Sequence, residues 1–142
     1  MPVASLMRYL AIDLGDKRTG LAVGDDITQL VSPVGAIEEP RGIRFDEAID
    51  RAIELHNPGS LVIGMPYNMD GSEGPRAKLV REFGEQLAAR TGLPVHYQDE
   101  RLTSERANQQ MARTGRTHKQ KKKLRDALAA AAILRDFLES ES

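Results

Sequence analysis

The sequence contains no cysteine and no tryptophan. Without cysteine, the chain can form neither a disulfide framework nor a thiolate metal site, and this composition suits a reducing compartment such as the cytoplasm. Aromatic residues are also scarce, at 4% of the chain. Platforms that stack nucleic-acid bases need several exposed aromatic rings. Sulfur chemistry is therefore excluded, and recognition of bases by stacking is disfavoured.

Long apolar runs and paired histidines are missing as well. No stretch approaches the roughly 20 apolar residues that a membrane span needs, and Met1–Leu6 lacks the charged and apolar regions of a signal peptide. The three histidines are too scattered for zinc-ligand spacing. We therefore expect a soluble, cytoplasmic protein with no membrane partner, and we consider zinc a disfavoured metal.

The size and charge of the chain allow one domain with a locally basic segment. The 142 residues, of which 40% are apolar, fit a single domain spanning residues 1–142. The net charge is −1, but eight Lys and Arg residues and no Asp or Glu lie between Arg106 and Arg125. This segment is typical either of a polyanion-binding surface or of a solvated basic helix end.

Hydrophobic periodicity and turn residues predict five strands and four helices. The strands are Tyr9–Asp13, Gly20–Gly24, Val34–Ile37 after Pro33, Leu61–Gly64 and Val95–Gln98. The helices are Arg41–His56, one that starts near Pro75 and is ended by Gly92 and Pro94, one starting near Thr103, and Lys121–Leu138. Three strands followed by alternating helices and strands predict an α/β domain with a mixed five-stranded sheet and helices on both faces. We expect the first strand to be central, which would bring Asp13 and Glu100 to neighbouring strand ends.

Three carboxylates occupy positions where burial should exclude a charge. Asp13 ends a buried strand, Glu100 follows another strand, and Asp126 interrupts the apolar face of the last helix. A lone buried carboxylate costs several kcal/mol, so each of the three needs a partner. One or two divalent cations would serve all of them, and oxygen ligands favour Mg²⁺ or Mn²⁺ and phosphodiester cleavage.

Each carboxylate also has a simpler explanation. Asp13 could cap the hairpin turn as an Asx residue, since Gly15 follows two positions later. Glu100 could pair with Arg101 or lie in a loop. Asp126 could pair with Lys122 one helical turn earlier, although such a pair belongs on an exposed face. It is the convergence of all three that favours a metal site.

Four blocks of the sequence resemble the signature blocks of the YqgF family, pre-16S rRNA nucleases also described as RuvX-like Holliday junction resolvases. The blocks are AIDLGDKRTGLAVGD, LVIGMPYNMDGSEGP, QDERLTS and LRDALAAAAIL. They occur in the family's order from Met7 onward. Residues 1–6 precede the usual start of the family and could be a disordered extension.

This resemblance implies a ribonuclease H-like fold and assigns roles to particular residues. The family's catalytic, metal-binding acids fall on Asp13, Glu100 and Asp126, with Asp99 as a further ligand candidate. The loop between Met65 and Pro75 would border the substrate and offer Asn68, Asp70, Gly71 and Ser72. The nucleic-acid contacts that we predict are Lys17, Arg18, Asn68, Ser72, Arg101, Arg113, Arg116, Lys119, Lys121, Lys122 and Lys123.

The implied function is metal-dependent endonucleolytic cleavage of structured RNA, with processing of the 5′ end of pre-16S rRNA as the family role. A Holliday junction resolvase acting on branched DNA is the nearest alternative, and it would require a homodimer with two active sites. The sequence leaves monomer and homodimer open. An actin-like ATPase lobe and a non-catalytic RNA-binding module are more distant alternatives.

Overall fold

A computed structural model of the chain describes residues 6–101 and 118–141. The strands in these ranges are β1 (Arg8–Asp13), β2 (Thr19–Asp25), β3 (Val31–Ile37), β4 (Ser60–Met65) and β5 (Val95–Asp99), and the helices are α1 (Ile43–His56), α2 (Pro75–Thr91) and α3 (His118–Glu141). The helix predicted near Thr103, the cations Arg113 and Arg116 and most of the N-terminal extension lie outside the described residues. The side chain of Lys119 does too.

The five strands form one mixed sheet in the order β3-β2-β1-β4-β5. The central strand β1 pairs antiparallel with β2 and parallel with β4, and β4 pairs parallel with β5. The predicted mixed sheet with a central first strand is therefore confirmed. Because β1, β4 and β5 run in the same direction, their carboxyl ends lie at one edge of the sheet.

Side chains alternate along β1 between two separate cores, as the pleat of a strand requires. Leu10 and Ile12 pack with α1 and α2 on one face. Ala11 packs with Ala22, Val62 and the apolar side of α3 on the other face. The helices thus cover both faces, as predicted. None of the helices in the described part of the chain is long and apolar enough to cross a membrane.

The predicted ends of β1, β2, β4, β5 and α2 agree with the structure to within one residue, whereas α1 begins two residues later than predicted and α3 extends three residues further at each end. Asn57 ends α1 and Gly92 ends α2, and both residues adopt the left-handed backbone conformation that stops a helix. The prediction that β3 begins after Pro33 is wrong, because the strand starts at Val31 and includes this proline. β3 is an edge strand, where a missing backbone N–H is tolerated.

Gly20 brings α3 against the sheet beside the end of β1. It lies opposite Asp13 in the β1–β2 pair, and a Cβ atom at Gly20 would overlap the backbone carbonyl group of Asp126. The absence of a side chain therefore lets the α3 backbone contact β2 directly. This contact carries Asp126 to the strand end that holds Asp13.

Replacing this glycine tests the contact. We expect Gly20→Ala to lower the free energy of unfolding by about 1–3 kcal/mol, because the added methyl group meets backbone that cannot move aside alone. Urea unfolding followed by circular dichroism measures the change. Gly59→Ala is the control, because its Cβ would overlap the flexible end of the Met7 side chain and make an ordinary contact with the backbone oxygen of Arg8. Equal stability of the two variants would contradict the close approach of α3.

Candidate active site

The side chains of Asp13 and Glu100 meet at the carboxyl edge of the sheet. Asp13 ends β1 and Glu100 follows β5, with β4 lying between these two strands. Gly64 of β4 makes the meeting possible, since a Cβ atom there would overlap the carboxylate of Glu100. The glutamate thus reaches across the middle strand through the space that a side chain would fill.

Asp13 and Glu100 form a hydrogen bond that needs a shared proton. Burial is the main cause that raises the pKa of Asp13 to about 6, and the negative charge of Asp126 raises it further. Burial also raises the pKa of Glu100 to about 8, followed by repulsion from Asp13. The hydrogen bond lowers the pKa of Asp13 and raises that of Glu100. Protonated Glu100 is therefore the donor and the Asp13 carboxylate the acceptor.

Asp126 lies beside this pair on the sheet-facing side of α3, as predicted. Its side chain is 17% exposed, and it accepts a hydrogen bond of 2.7 Å from Nε of Arg18 at its Oδ2 atom. Arg18 belongs to the turn between β1 and β2. The partner of Asp126 is thus distant in sequence, instead of Lys122 one helical turn earlier.

The three predicted metal ligands are neighbours, but their side chains are not arranged as a preformed metal-binding site. Within residues 6–101 and 118–141, no group of three His, Asp or Glu side chains is placed to hold a metal ion. Asp13 and Glu100 bind each other, while Asp126 binds Arg18. The structure therefore brings two of the predicted ligands into contact and places the third next to them in an ion pair.

Asp99 pairs with Arg101, whereas its neighbour Glu100 contacts Asp13. Its Oδ2 atom lies 2.6 Å from Nη2 of Arg101, and hydrogen bonding to this guanidinium lowers the pKa of Asp99. Arg101 also donates to the backbone carbonyl of Met69 at 3.2 Å. Arg101 thus pairs with Asp99, while the carboxyl group of Glu100 is hydrogen-bonded to Asp13.

The loop before α2 is organised by its own polar side chains. Nδ2 of Asn68 donates to Oγ of Ser72 at 3.0 Å, and that hydroxyl donates to Asp70 at 2.6 Å. The backbone N–H of Gly71 donates to the carbonyl of Asn68, and Gly71 has a φ of 87°. The loop exposes the side chains of Asn68 and Ser72. Through its hydrogen bond to Met69, Arg101 connects this loop to the end of β5.

The turn after Asp13 does not use this aspartate as a cap. The backbone N–H of Gly15 donates to Oγ1 of Thr19 at 3.3 Å, while Asp13 bonds to Glu100. Lys17 is exposed at the tip of the turn. The Asx-turn explanation for Asp13 is therefore not realised, and the carboxylate remains directed into the site.

Arg76 is a site residue that the sequence patterns did not identify. Its Nη2 atom donates to the carbonyl of Leu14 at 2.9 Å, and its positive charge lowers the pKa of both Asp13 and Glu100. The only signal in the sequence was its place after Pro75, in the first turn of a helix that begins near the carboxyl edge of the sheet. That signal predicts a helix start and gives no functional role.

The described end of the basic segment lies at the start of α3. Lys121 and Lys122 are partly exposed, and Nζ of Lys123 lies 3.6 Å from a carboxylate oxygen of Glu38. This ion pair connects α3 to the residue that follows β3. The helix therefore presents lysine side chains a short distance before Asp126 in the same element.

Comparisons with known proteins agree along almost the whole chain. A family model described as "RuvX: Holliday junction resolvase" matches residues 7–140. A relative from Anaeromyxobacter sp. is 38% identical over 94% of this chain and 97% of its own length. A relative from Dechloromonas aromatica is 41% identical over 92% of this chain and 90% of its own length. Both relatives carry the name "Putative pre-16S rRNA nuclease".

Two solved structures with similar folds are Holliday junction resolvases. The Fowlpox virus resolvase, solved with Holliday junction DNA, has a TM-score of 0.61 at 12% identity, covering 95% of this chain and 99% of that one. RuvC from T. thermophilus, also with a junction, has a TM-score of 0.56 at 16% identity and covers 95% of each chain. The predicted ribonuclease H-like fold is confirmed. The match over residues 7–140 and the identities of the two relatives show that this chain belongs to the RuvX family.

Proposed function

We propose that this protein is a metal-dependent endonuclease that hydrolyses phosphodiester bonds in structured nucleic acid, and that it processes the 5′ end of pre-16S rRNA. The observation that carries the proposal is the contact between Asp13 and Glu100 at the carboxyl edge of the sheet, with Asp126 beside it. Membership of the RuvX family and the names of the two relatives support the choice of substrate.

The donor set fits a divalent cation in its chemistry. Asp13 and Glu100 offer carboxylate oxygens, which are the ligands that Mg²⁺ and Mn²⁺ prefer. Burial makes their full ionisation unfavourable, so a cation would replace the proton they share. Asp126 would complete the set by exchanging Arg18 for the cation. Asp99 would remain outside the set, where it holds Arg101.

The side chains have separable roles in the proposed hydrolysis. A divalent cation, when bound, lowers the pKa of a water molecule and stabilises the charge that develops on the phosphate. Asp13 and Glu100 lose their shared proton and supply negative charge at a partly buried position. Arg76 supplies a positive charge that favours the ionised form of both. Lys17 and the lysines of α3 attract the backbone phosphates.

Resolution of Holliday junctions is the second candidate function. It is favoured by the description of the family model and by the similar folds of two resolvases solved with junction DNA. Symmetric cutting of a junction would require two copies of the site, and therefore a homodimer. Binding to branched DNA and dimer formation would have to occur together.

The two functions are separated by their substrates. We expect the protein with Mg²⁺ or Mn²⁺ to cut a precursor of 16S rRNA near its 5′ end, and to leave a four-way DNA junction intact. Asp13→Asn should abolish cutting and keep most of the RNA affinity. Cleavage of the junction alone would instead support the resolvase. If neither is cut and Asp13→Asn behaves as the parent does, the protein is a non-catalytic binding module.

The position of Asp126 in α3 predicts a difference between two aspartates of the same helix. Asp126→Asn should reduce the cleavage rate by about 100-fold or more, since this side chain lies next to Asp13. Asp136→Asn makes the same chemical change on the part of α3 remote from the pair, and it should keep the rate within about twofold of the parent. The rates are measured with saturating cation. Equal losses would refute the assigned role of Asp126.

The burial of Glu100, together with its repulsion from Asp13, predicts how stability depends on pH in EDTA. Because folding raises the pKa of Glu100 from 4.5 to about 8, its contribution to stability is fully present below about pH 4.5 and is lost as the pH rises to 8. Glu100→Gln should remove much of this loss. The free energy of unfolding of the variant, relative to that of the parent, should therefore rise by at least about 1 kcal/mol between pH 5 and pH 8.5.

Thermal and urea unfolding at several pH values measure this gain. Glu47→Gln is the matched control, because Glu47 is an exposed glutamate on α1. Parallel pH profiles for the parent and Glu100→Gln would show that folding does not raise the pKa of Glu100, and would contradict the burial of its carboxyl group beside Asp13.

A further inference from the structure

Two arginines from different elements converge on one carboxylate in the turn after β1. Nη1 of Arg76 lies 3.2 Å from Oδ1 of Asp16, and Nη2 of Arg41 lies 3.6 Å from the same oxygen. Arg76 belongs to the first turn of α2, and Arg41 precedes α1. One exposed oxygen atom therefore receives two guanidinium groups.

Each arginine is also held by a backbone carbonyl, independently of Asp16. Arg76 donates to Leu14 at 2.9 Å and Arg41 donates to Gly15 at 3.4 Å. These bonds would keep both guanidinium groups in place if the Asp16 side chain moved. That side chain is 70% exposed, so water could hydrate its carboxylate if the arginines bound another anion. Each guanidinium group thus has a backbone acceptor in addition to the Asp16 carboxylate.

The geometry suits a phosphate oxygen as well as a carboxylate oxygen. Guanidinium groups bind both anions through charge-assisted hydrogen bonds of similar length. Leu14 and Gly15, which hold the arginines, directly follow Asp13 in the chain. Any phosphate bound by the two arginines would therefore lie close to the proposed active site.

We propose that Arg41 and Arg76 form a subsite for a backbone phosphate of the nucleic acid, adjacent to the reacting phosphodiester, and that Asp16 occupies this subsite in the free protein. The inference rests on the proposed function, since it names a subsite of the same active site. A phosphate would displace Asp16 and keep both carbonyl contacts. Because DNA and RNA share this backbone, the subsite does not distinguish them.

The alternative is that Arg41 and Arg76 only brace the turn. The two explanations make opposite predictions for Asp16. If Asp16 competes with phosphate, Asp16→Asn frees the arginines and strengthens binding. If the ion pairs exist to order the turn, Asp16→Asn loosens it and weakens binding, as loss of either arginine would.

The test measures affinity by fluorescence anisotropy in EDTA, where the proposed enzyme cannot cut. The probes are a fluorescein-labelled RNA hairpin and a labelled four-way DNA junction, each titrated at several salt concentrations. The variants are Arg41→Gln, Arg76→Gln, Arg76→Lys and Asp16→Asn. Thermal unfolding of every variant shows whether it is folded.

The chain offers a matched control at the other end of α2. Arg90 also bridges two aspartates, Asp46 and Asp50 of α1, and its side chain is exposed to a similar degree, 38% against 44% for Arg76. Along a helix, the two arginines are about 20 Å apart. Arg90→Gln and Asp50→Asn therefore repeat the same changes of charge far from the proposed subsite.

We expect Arg41→Gln and Arg76→Gln each to weaken binding about three- to tenfold, and to reduce the slope of log affinity against log salt by about 1. Arg76→Lys should retain the slope. Asp16→Asn should strengthen binding about threefold, because the competing anion has gone. Arg90→Gln and Asp50→Asn should match the parent. A response in only one probe supports the subsite and identifies the nucleic acid that reaches it.

Two results would overturn the inference. One is binding by folded Arg41→Gln and Arg76→Gln that equals that of Arg90→Gln, and the other is an Asp16→Asn variant that binds as weakly as the arginine variants. Failure of the proposed function is a separate result, seen as normal binding of the probes by the parent without cleavage in Mg²⁺ or Mn²⁺. The subsite is judged by binding alone.

Discussion

A negative charge at the end of the central strand is the constraint around which the rest of the site is arranged. Asp13 lies where β1 leaves the sheet, and burial makes its ionised form unfavourable. Three neighbours respond to this charge in different ways. Glu100 supplies a proton, Arg76 supplies a positive charge, and Asp126 keeps its own charge neutralised by Arg18. The carboxylates can lie close together only because each has such compensation.

Two glycines make this arrangement sterically possible. Gly64 leaves the space over β4 through which Glu100 reaches Asp13, and Gly20 leaves the space that admits the backbone of α3. Neither glycine stabilises the sheet, since glycine in a strand lacks a side chain to pack. The two apolar cores on either face supply the stability that the site lacks. Functional sites typically contain residues that destabilise the fold locally, and packing in the rest of the protein compensates for them.

The sequence predicted those parts of the site that depend on local patterns. Strand ends placed Asp13 and Glu100 at one edge of the sheet, and helical periodicity placed Asp126 toward the sheet. The pairing of Arg18 with Asp126 and the role of Arg76 depend on contacts between distant elements, so no local pattern reveals them. The early start of β3 was missed for a similar reason, because a proline is acceptable only in a strand known to be an edge. The central place of β1 could be predicted from the order of the elements along the chain. Which arginine pairs with which carboxylate could be seen only in the three-dimensional structure.

The same allocation bears on how a chain with a small negative net charge would bind nucleic acid, as proposed above. The net charge of −1 would favour no polyanion, but two of the cations near the site, one from the turn and one from α2, are held by carboxylates. Arg18 is paired with Asp126, and Arg76 with Asp16. Phosphates would therefore compete with carboxylates for these cations instead of meeting an uncompensated positive surface. Such competition weakens binding to any polyanion that cannot displace the internal anions, and it favours a ligand whose phosphates match the positions of the arginines.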